Sequence, residues 1–141
     1  MPPMTPSPRP SSGTPREHTP AGQTILVIDD EPGIRKVMDR LLKQGGYETL
    51  LAANGSDGIR FFDSFAPDIG LVLLDWNLPG TSGKETLAAL LERRPDLRVI
   101  LVTGAPEATT DEHATGDTAS ILLKPFTPTE LMMAVRSVLG A

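Results

Sequence analysis

Polar side chains that could do chemistry stand directly after the long apolar runs of this 141-residue chain. Two carboxylates follow the first run, a third follows another, and a hydroxyl and an ammonium group follow the last two. These residues are Asp29, Asp30, Asp75, Thr103 and Lys124. If the runs are strands of one parallel sheet, the five side chains converge on the edge where the strands end, and such sheets hold their sites there.

Three converging carboxylates predict a divalent cation. Their mutual repulsion raises pKa values and destabilises the fold, and a hard dication such as Mg²⁺ relieves it. The ammonium group of Lys124 suits an anion that enters the same site. Each residue alone could be an ordinary solvated strand end, but together they indicate a metal-assisted phosphoryl site.

The apolar runs predict strands that are buried on both faces, because they show no polar alternation. Four runs are strong and the one at residues 48–53 is weaker. The strong runs cover residues 25–28, 71–74, 99–102 and 121–123.

Helical patterns fill the intervals between these runs. Apolar stripes predict amphipathic helices around Met38, Phe62, Leu87 and Val135. Capping boxes that begin at Ser82 and Thr127 mark two helix starts, and glycines at 45, 46 and 140 mark ends. The interval 106–115 has low helix propensity and predicts a short, mobile helix. Strand and helix alternate five times, which predicts an α/β fold with an open parallel sheet and helices on both faces.

Composition divides the chain into a tail, residues 1–23, and one domain, residues 24–141. The tail is rich in Pro, Ser and Thr and contains almost no large apolar residue, so we expect it to be disordered. The chain has no cysteine, which excludes disulfides and thiolate chemistry. Its net charge of −5 argues against nucleic-acid binding, and no apolar run is long enough for a membrane span. We expect a cytoplasmic protein.

Four motifs, in this order and at these spacings, resemble the receiver domain of two-component response regulators. They are Asp29-Asp30-Glu31, Asp75-Trp76-Asn77-Leu78-Pro79-Gly80, Thr103-Gly104 and Lys124-Pro125-Phe126. The resemblance covers about residues 24–140. It implies a flavodoxin-like, doubly wound fold with strand order 2-1-3-4-5 and five flanking helices.

The resemblance also implies a role for each matching residue. Asp75 would accept a phosphoryl group from a phosphohistidine on a histidine kinase or phosphotransfer protein. Asp29, Asp30 and Asp75, with the backbone carbonyl of Asn77, would hold Mg²⁺. Lys124 would pair with the phosphoryl group and Thr103 would donate a hydrogen bond to it. Such a domain is a phosphoacceptor that catalyses its own phosphorylation and dephosphorylation, rather than an enzyme.

Four further residues have expectations of their own. The resemblance implies an unusual backbone turn at Gly83 and a cis peptide bond before Pro125. Ile121 stands where many family members have an aromatic or histidine switch, so it is interpreted as an apolar residue that opens the fifth strand. Trp76 is expected to be a partly exposed loop residue that covers apolar surface.

The same residues argue against three other classes of protein. A haloacid-dehalogenase-type phosphatase needs an acid two residues after its nucleophile, where this chain has Asn77. A flavodoxin-like cofactor binder needs a phosphate loop, and the carboxylates would repel FMN. A pseudo-receiver without chemistry would not need the full set of acidic, hydroxyl and ammonium groups.

The sequence leaves the cellular context open. With nothing folded expected after residue 141, the first interpretation is a single-domain regulator that signals by protein contact. The alternative is the C-terminal receiver domain of a hybrid histidine kinase, or a phosphorelay intermediate.

Overall fold

The computed structural model describes residues 23–105 and 119–140. Most of the predicted tail and the helix predicted over residues 106–115 lie outside these residues.

Five parallel strands form one sheet in the order β2-β1-β3-β4-β5, which confirms the predicted fold. Their positions follow the apolar runs closely. The strands are β1 (Thr24–Ile28), β2 (Glu48–Ala52), β3 (Ile69–Asp75), β4 (Val99–Thr103) and β5 (Ala119–Leu123). β3 begins two residues before the predicted run, directly after a 3-10 turn at Ala66–Asp68 that the sequence reading did not predict.

Four helices connect or follow the strands in the described residues. They are α1 (Pro32–Gln44), α2 (Gly55–Phe65), α3 (Gly83–Arg93) and α4 (Pro128–Leu139). Both predicted capping boxes are present, at Ser82 with Glu85 and at Thr127 with Glu130. Asn54 begins α2 by accepting a hydrogen bond from the backbone of Asp57. None of the described helices is long and apolar enough to cross a membrane.

The sheet carries an apolar core on each of its faces. Alternate residues of the central strands, such as Leu26 and Val27, point to opposite faces. The α2 and α3 side chains complete the core on one face, and those of α1 and α4 complete the core on the other. The central strands are therefore held from both sides, which fixes where their carboxyl ends lie.

The structure corrects two expectations about the loop after β3. Trp76 is buried in the core beside α3 rather than partly exposed. Gly83 is needed for a different reason from the one expected, since it is not among the glycines with a left-handed backbone. A Cβ atom at Gly83 would lie 2.5 Å from the carbonyl oxygen of Trp76, so only glycine allows α3 to approach this loop so closely.

Ile121 lies in the middle of β5, whereas the sequence reading placed it at the start of the strand. β5 is an edge strand of the sheet, and Ile121 and Leu123 are both exposed. Their side chains lie on the sheet face opposite to that of the buried Leu122, as the alternation of a strand requires.

Candidate functional site

The carboxyl edge of the sheet brings together the polar residues that follow the strands. Asp29 and Asp30 follow β1, while Asp75 and Thr103 are the last residues of β3 and β4. Lys124 follows β5. Because β1, β3 and β4 are adjacent and in parallel register, their ends lie side by side.

The three aspartates form a compact cluster. One carboxylate oxygen from each of Asp29, Asp30 and Asp75 lies within 4.8 Å of the others. Asp29 and Asp75 are buried, at 0% and 3% exposure, whereas Asp30 is exposed. Two negative charges are therefore held inside the protein, and the third borders solvent.

Backbone amides of the following loops orient the two buried carboxylates. The N–H of Glu31 donates to Asp29 Oδ1 at 2.9 Å, and the N–H of Asn77 donates to Asp75 Oδ1 at 3.0 Å. In each case the loop turns back on the carboxylate two residues before it. Hydrogen bonds of this kind stabilise the charged form.

Lys124 joins the cluster from β5. Its Nζ atom lies 3.4 Å from Asp29 Oδ2 and 3.6 Å from Asp75 Oδ1. The backbone N–H of Lys124 donates to the carbonyl oxygen of Thr103 at 2.8 Å, which ties this residue to the end of β4. The peptide bond between Lys124 and Pro125 is cis.

Thr103 is fully buried beside the loop after β3. Its Oγ1 accepts a hydrogen bond from the backbone N–H of Ala105 at 3.0 Å, and the Asn77 side-chain amide lies 3.5 Å from it. The structure thus brings all five predicted side chains to one edge of the sheet. For Asn77 it shows the backbone N–H at Asp75, and the metal-ligand role of its carbonyl stays a prediction.

Burial raises the pKa of the Asp75 carboxyl to about 6. The negative charge of Asp29 acts in the same direction, whereas the Asn77 N–H and the Lys124 ammonium lower the pKa. Asp75 is still mostly ionised at neutral pH and can act as a nucleophile.

The cluster fits Mg²⁺ in charge and in ligand type. Asp29 Oδ2 is buried and accepts no hydrogen bond, and the lysine ammonium at 3.4 Å offsets only part of the negative charge. All of the clustered donors are carboxylate oxygens, which Mg²⁺ prefers. A dication would give the buried oxygen a partner and reduce the repulsion among the three carboxylates.

The structure shows two features of the site that the sequence does not predict. Arg35 of α1 donates from Nη1 to the backbone carbonyl of Asp29 at 2.7 Å. A groove of about 390 Å³ lies beside Lys124, with Ile34, Val37 and Phe126 among its lining residues. Neither feature can be recognised in the sequence. Arg35 looks like an ordinary surface residue of an amphipathic helix, and Val37 looks like an ordinary core residue of the same helix.

Comparison with known proteins agrees with the geometry. The family described as "Response regulator receiver domain" matches residues 25–136. The chain is 39% identical over 124 residues to the phosphate regulon transcriptional regulatory protein PhoB of Pseudomonas aeruginosa, covering 84% of this chain and 52% of that protein. It is 33% identical over 118 residues to sporulation initiation phosphotransferase F of Bacillus subtilis, covering 83% of this chain and 94% of that protein.

A solved structure shows the same fold. The response regulator protein TrrA from Thermotoga maritima, in complex with Mg²⁺-BeF, is 32% identical and superposes with a TM-score of 0.72. The match covers 82% of this chain and 98% of TrrA. The chain spans about half the length of the curated transcriptional regulators that it matches.

Replacing Asp75 by Asn should stabilise the metal-free protein at neutral pH. Between about pH 4 and pH 6 the native state binds more protons at Asp75 than the unfolded chain does, so the wild-type free energy of unfolding falls as pH rises through this window. Asp75→Asn removes this loss and should raise the free energy of unfolding by about 2 kcal/mol at pH 7.5. Urea unfolding in the presence of a chelator measures it.

The gain should shrink toward zero near pH 4, where the native carboxyl is protonated. Asp96→Asn is the matched control, because Asp96 is exposed and lies outside the cluster. A stability gain for Asp75→Asn that is equally large near pH 4 and pH 7.5 would contradict a charge-based origin.

Proposed function

The chain belongs to the response regulator receiver domain family, and on that premise we propose that Asp75 accepts a phosphoryl group from a phosphohistidine of a partner protein. The observation that carries the proposal is the cluster of three aspartates with Lys124 within 3.6 Å of Asp75. A strongly basic residue at this distance from a buried nucleophile suits the transfer of an anionic group.

The transfer exchanges one bond to phosphorus for another. A carboxylate oxygen of Asp75 attacks phosphorus, an O–P bond forms, and the P–N bond to the histidine breaks. The electron pair leaves with the imidazole nitrogen. We assign Oδ2 as the nucleophile, because the N–H of Asn77 already holds Oδ1 in place.

Two side chains would stabilise the phosphoryl oxygens. The Lys124 ammonium offsets negative charge that develops during transfer, and it is already placed between Asp29 and Asp75. The Thr103 hydroxyl would donate a hydrogen bond to the transferred group. It lies at the end of β4, directly beside the end of β3.

Asp29, Asp30 and Asp75 would hold Mg²⁺, with the Asn77 carbonyl as a further ligand. When bound, the ion neutralises charge on the transferred oxygens. Asp29 and Asp75 are oriented by backbone amides and do not need to reorganise for this task.

We expect acetyl phosphate and Mg²⁺ to add one phosphoryl group to the protein, on Asp75. The Asp75→Asn variant should gain none, because an amide is not a competent nucleophile, whereas the exposed-site control Asp96→Asn should be labelled like the wild type. Intact-mass analysis measures the label, which should be stable to acid and lost in base. Equal labelling of the Asp75→Asn variant would contradict the assignment.

We propose that the phosphohistidine-bearing partner contacts the groove beside the site. Asp75 is only 3% exposed, so the surface of a donor protein must press against the rim of the site for the histidine to reach it. Lys124 belongs both to the rim and to the groove, whose lining includes Val37. Val37 is 47% exposed, so the groove presents an apolar side chain that a partner surface could cover.

Val37→Glu should therefore slow transfer from a phosphorylated histidine kinase that labels the wild-type chain, by roughly tenfold or more, since a charge would be buried in an apolar contact. Labelling by acetyl phosphate should not change. Phe65→Glu is the control, because Phe65 has similar exposure, at 45%, and lies on α2 at the opposite face of the sheet. Equal slowing by both variants would contradict the groove as the contact.

Two outputs are consistent with this chemistry, namely signalling by protein contact and onward transfer in a phosphorelay. The first is our main proposal. The second is kept as the alternative because the chain is similar to sporulation initiation phosphotransferase F over 94% of that protein.

An isolated histidine phosphotransfer domain distinguishes the two outputs. Phosphorylated chain, freed of acetyl phosphate, should keep its label on Asp75 when the domain is added if the protein signals by contact. Rapid loss of the label from Asp75 with its appearance on the histidine would support the relay instead. A phosphotransfer domain whose histidine is replaced is the control.

A further inference from the structure

We propose that Arg35 is a positioning residue for the metal-binding loop, residues 29–31. This inference rests on the function proposed above, since it concerns the same three aspartates. Arg35 lies in the first turn of α1, and its Nη1 atom donates to the backbone carbonyl of Asp29 at 2.7 Å. It therefore holds the loop through main chain rather than through a carboxylate.

The geometry of a peptide group explains why this bond matters. The carbonyl of Asp29 belongs to the planar peptide unit that joins Asp29 to Asp30. A hydrogen bond that fixes its oxygen fixes the plane, and the plane sets the direction in which the Asp30 side chain leaves the backbone. Asp30 is the exposed member of the cluster and has the least packing around it.

Three hydrogen bonds hold the loop, besides the bond at the start of α1 in which the Arg35 backbone N–H donates to the Glu31 carbonyl at 3.0 Å. The N–H of Asp29 donates to the carbonyl of Ala52 at 3.1 Å, and the N–H of Glu31 donates to Asp29 Oδ1 at 2.9 Å. These two bonds fix the ends of the loop. The Arg35 bond fixes the peptide between them, so its loss frees the unit that carries Asp30.

Charge and position predict opposite effects of removing Arg35. A guanidinium near a cation site repels Mg²⁺, so loss of its charge alone would tighten metal binding. Loss of the positioning bond would weaken binding, because the three carboxylates would no longer be held together. The sign of the change in Mg²⁺ affinity therefore distinguishes the two roles.

The test is a Mg²⁺ titration of the full chain. Calorimetry and the fluorescence of Trp76, which adjoins Asp75, both measure the binding. Arg35→Ala should raise the Kd for Mg²⁺ by roughly tenfold, within the range found when outer partners of metal ligands are removed. Arg35→Lys retains a donor and should restore most of the affinity. Arg40→Ala removes the same charge from an exposed position of the same helix and should leave the Kd unchanged or slightly lower.

A second variant and a metal-free measurement keep the test decisive if Arg35→Ala does not fold. Arg35→Met keeps an aliphatic stem of similar length but has no donor, and it should weaken Mg²⁺ binding to the same extent. Without metal, the Glu31 amide should exchange its hydrogen faster in Arg35→Met than in the wild type or Arg40→Ala, since its acceptor on Asp29 is less well held.

Each outcome identifies which statement fails. If the wild type binds Mg²⁺ and Asp30→Ala weakens it, while Arg35→Met leaves both the Kd and the Glu31 exchange unchanged, the positioning role is wrong and the proposed function stands. If Arg35→Met binds Mg²⁺ more tightly, charge is the role of Arg35, and the proposal is likewise overturned. If the wild type itself binds no Mg²⁺, the metal site of the proposed function fails, and the amide exchange alone decides the role of Arg35.

Discussion

The carboxylates of Asp29 and Asp75 lie together inside the protein, and their repulsion is the constraint on which the rest of the structure depends. At a separation below 5 Å two such charges repel by a few kcal/mol, even at an effective dielectric constant near 20. Two backbone amides and the Lys124 ammonium offset part of this cost. The part that they leave adds to burial in raising the pKa of Asp75, and a bound cation would offset it.

A fold can hold this unfavourable arrangement only if its frame is rigid. The central strands are packed from both faces, and their last residues are therefore fixed by two cores at once. The loop after β3 is held by the burial of Trp76 and by the close approach of Gly83, which also begins α3. The loop after β1 is held by the burial of Asp29 and by hydrogen bonds, including those from the N–H of Glu31 and the side chain of Arg35.

The sequence predicts the strands, the capped helices and the convergence of the five polar side chains, because each of these follows from a local pattern. Continuous apolar runs, capping boxes and polar residues after strands all involve residues that are close together in the sequence. The burial of Trp76, the crowding at Gly83 and the bond from Arg35 depend on segments that meet only in the folded chain. The 3-10 turn at Ala66–Asp68 is held partly by Arg94, which lies 28 residues further on and donates to Ala66.

The residues that would carry the chemistry give the site little means of choosing a partner. Carboxylates, a lysine and a hydroxyl recognise a phosphoryl group whatever protein delivers it. Selectivity must therefore come from the surface that surrounds the site. There α1 carries four basic residues and one acidic residue in a chain of net charge −5, and it also exposes Val37. If the proposed function holds, a basic helix with an apolar edge, next to an acidic site, would favour donors with an acidic and partly apolar face. Such a face would be attracted by the helix and repelled by most of the rest of the chain.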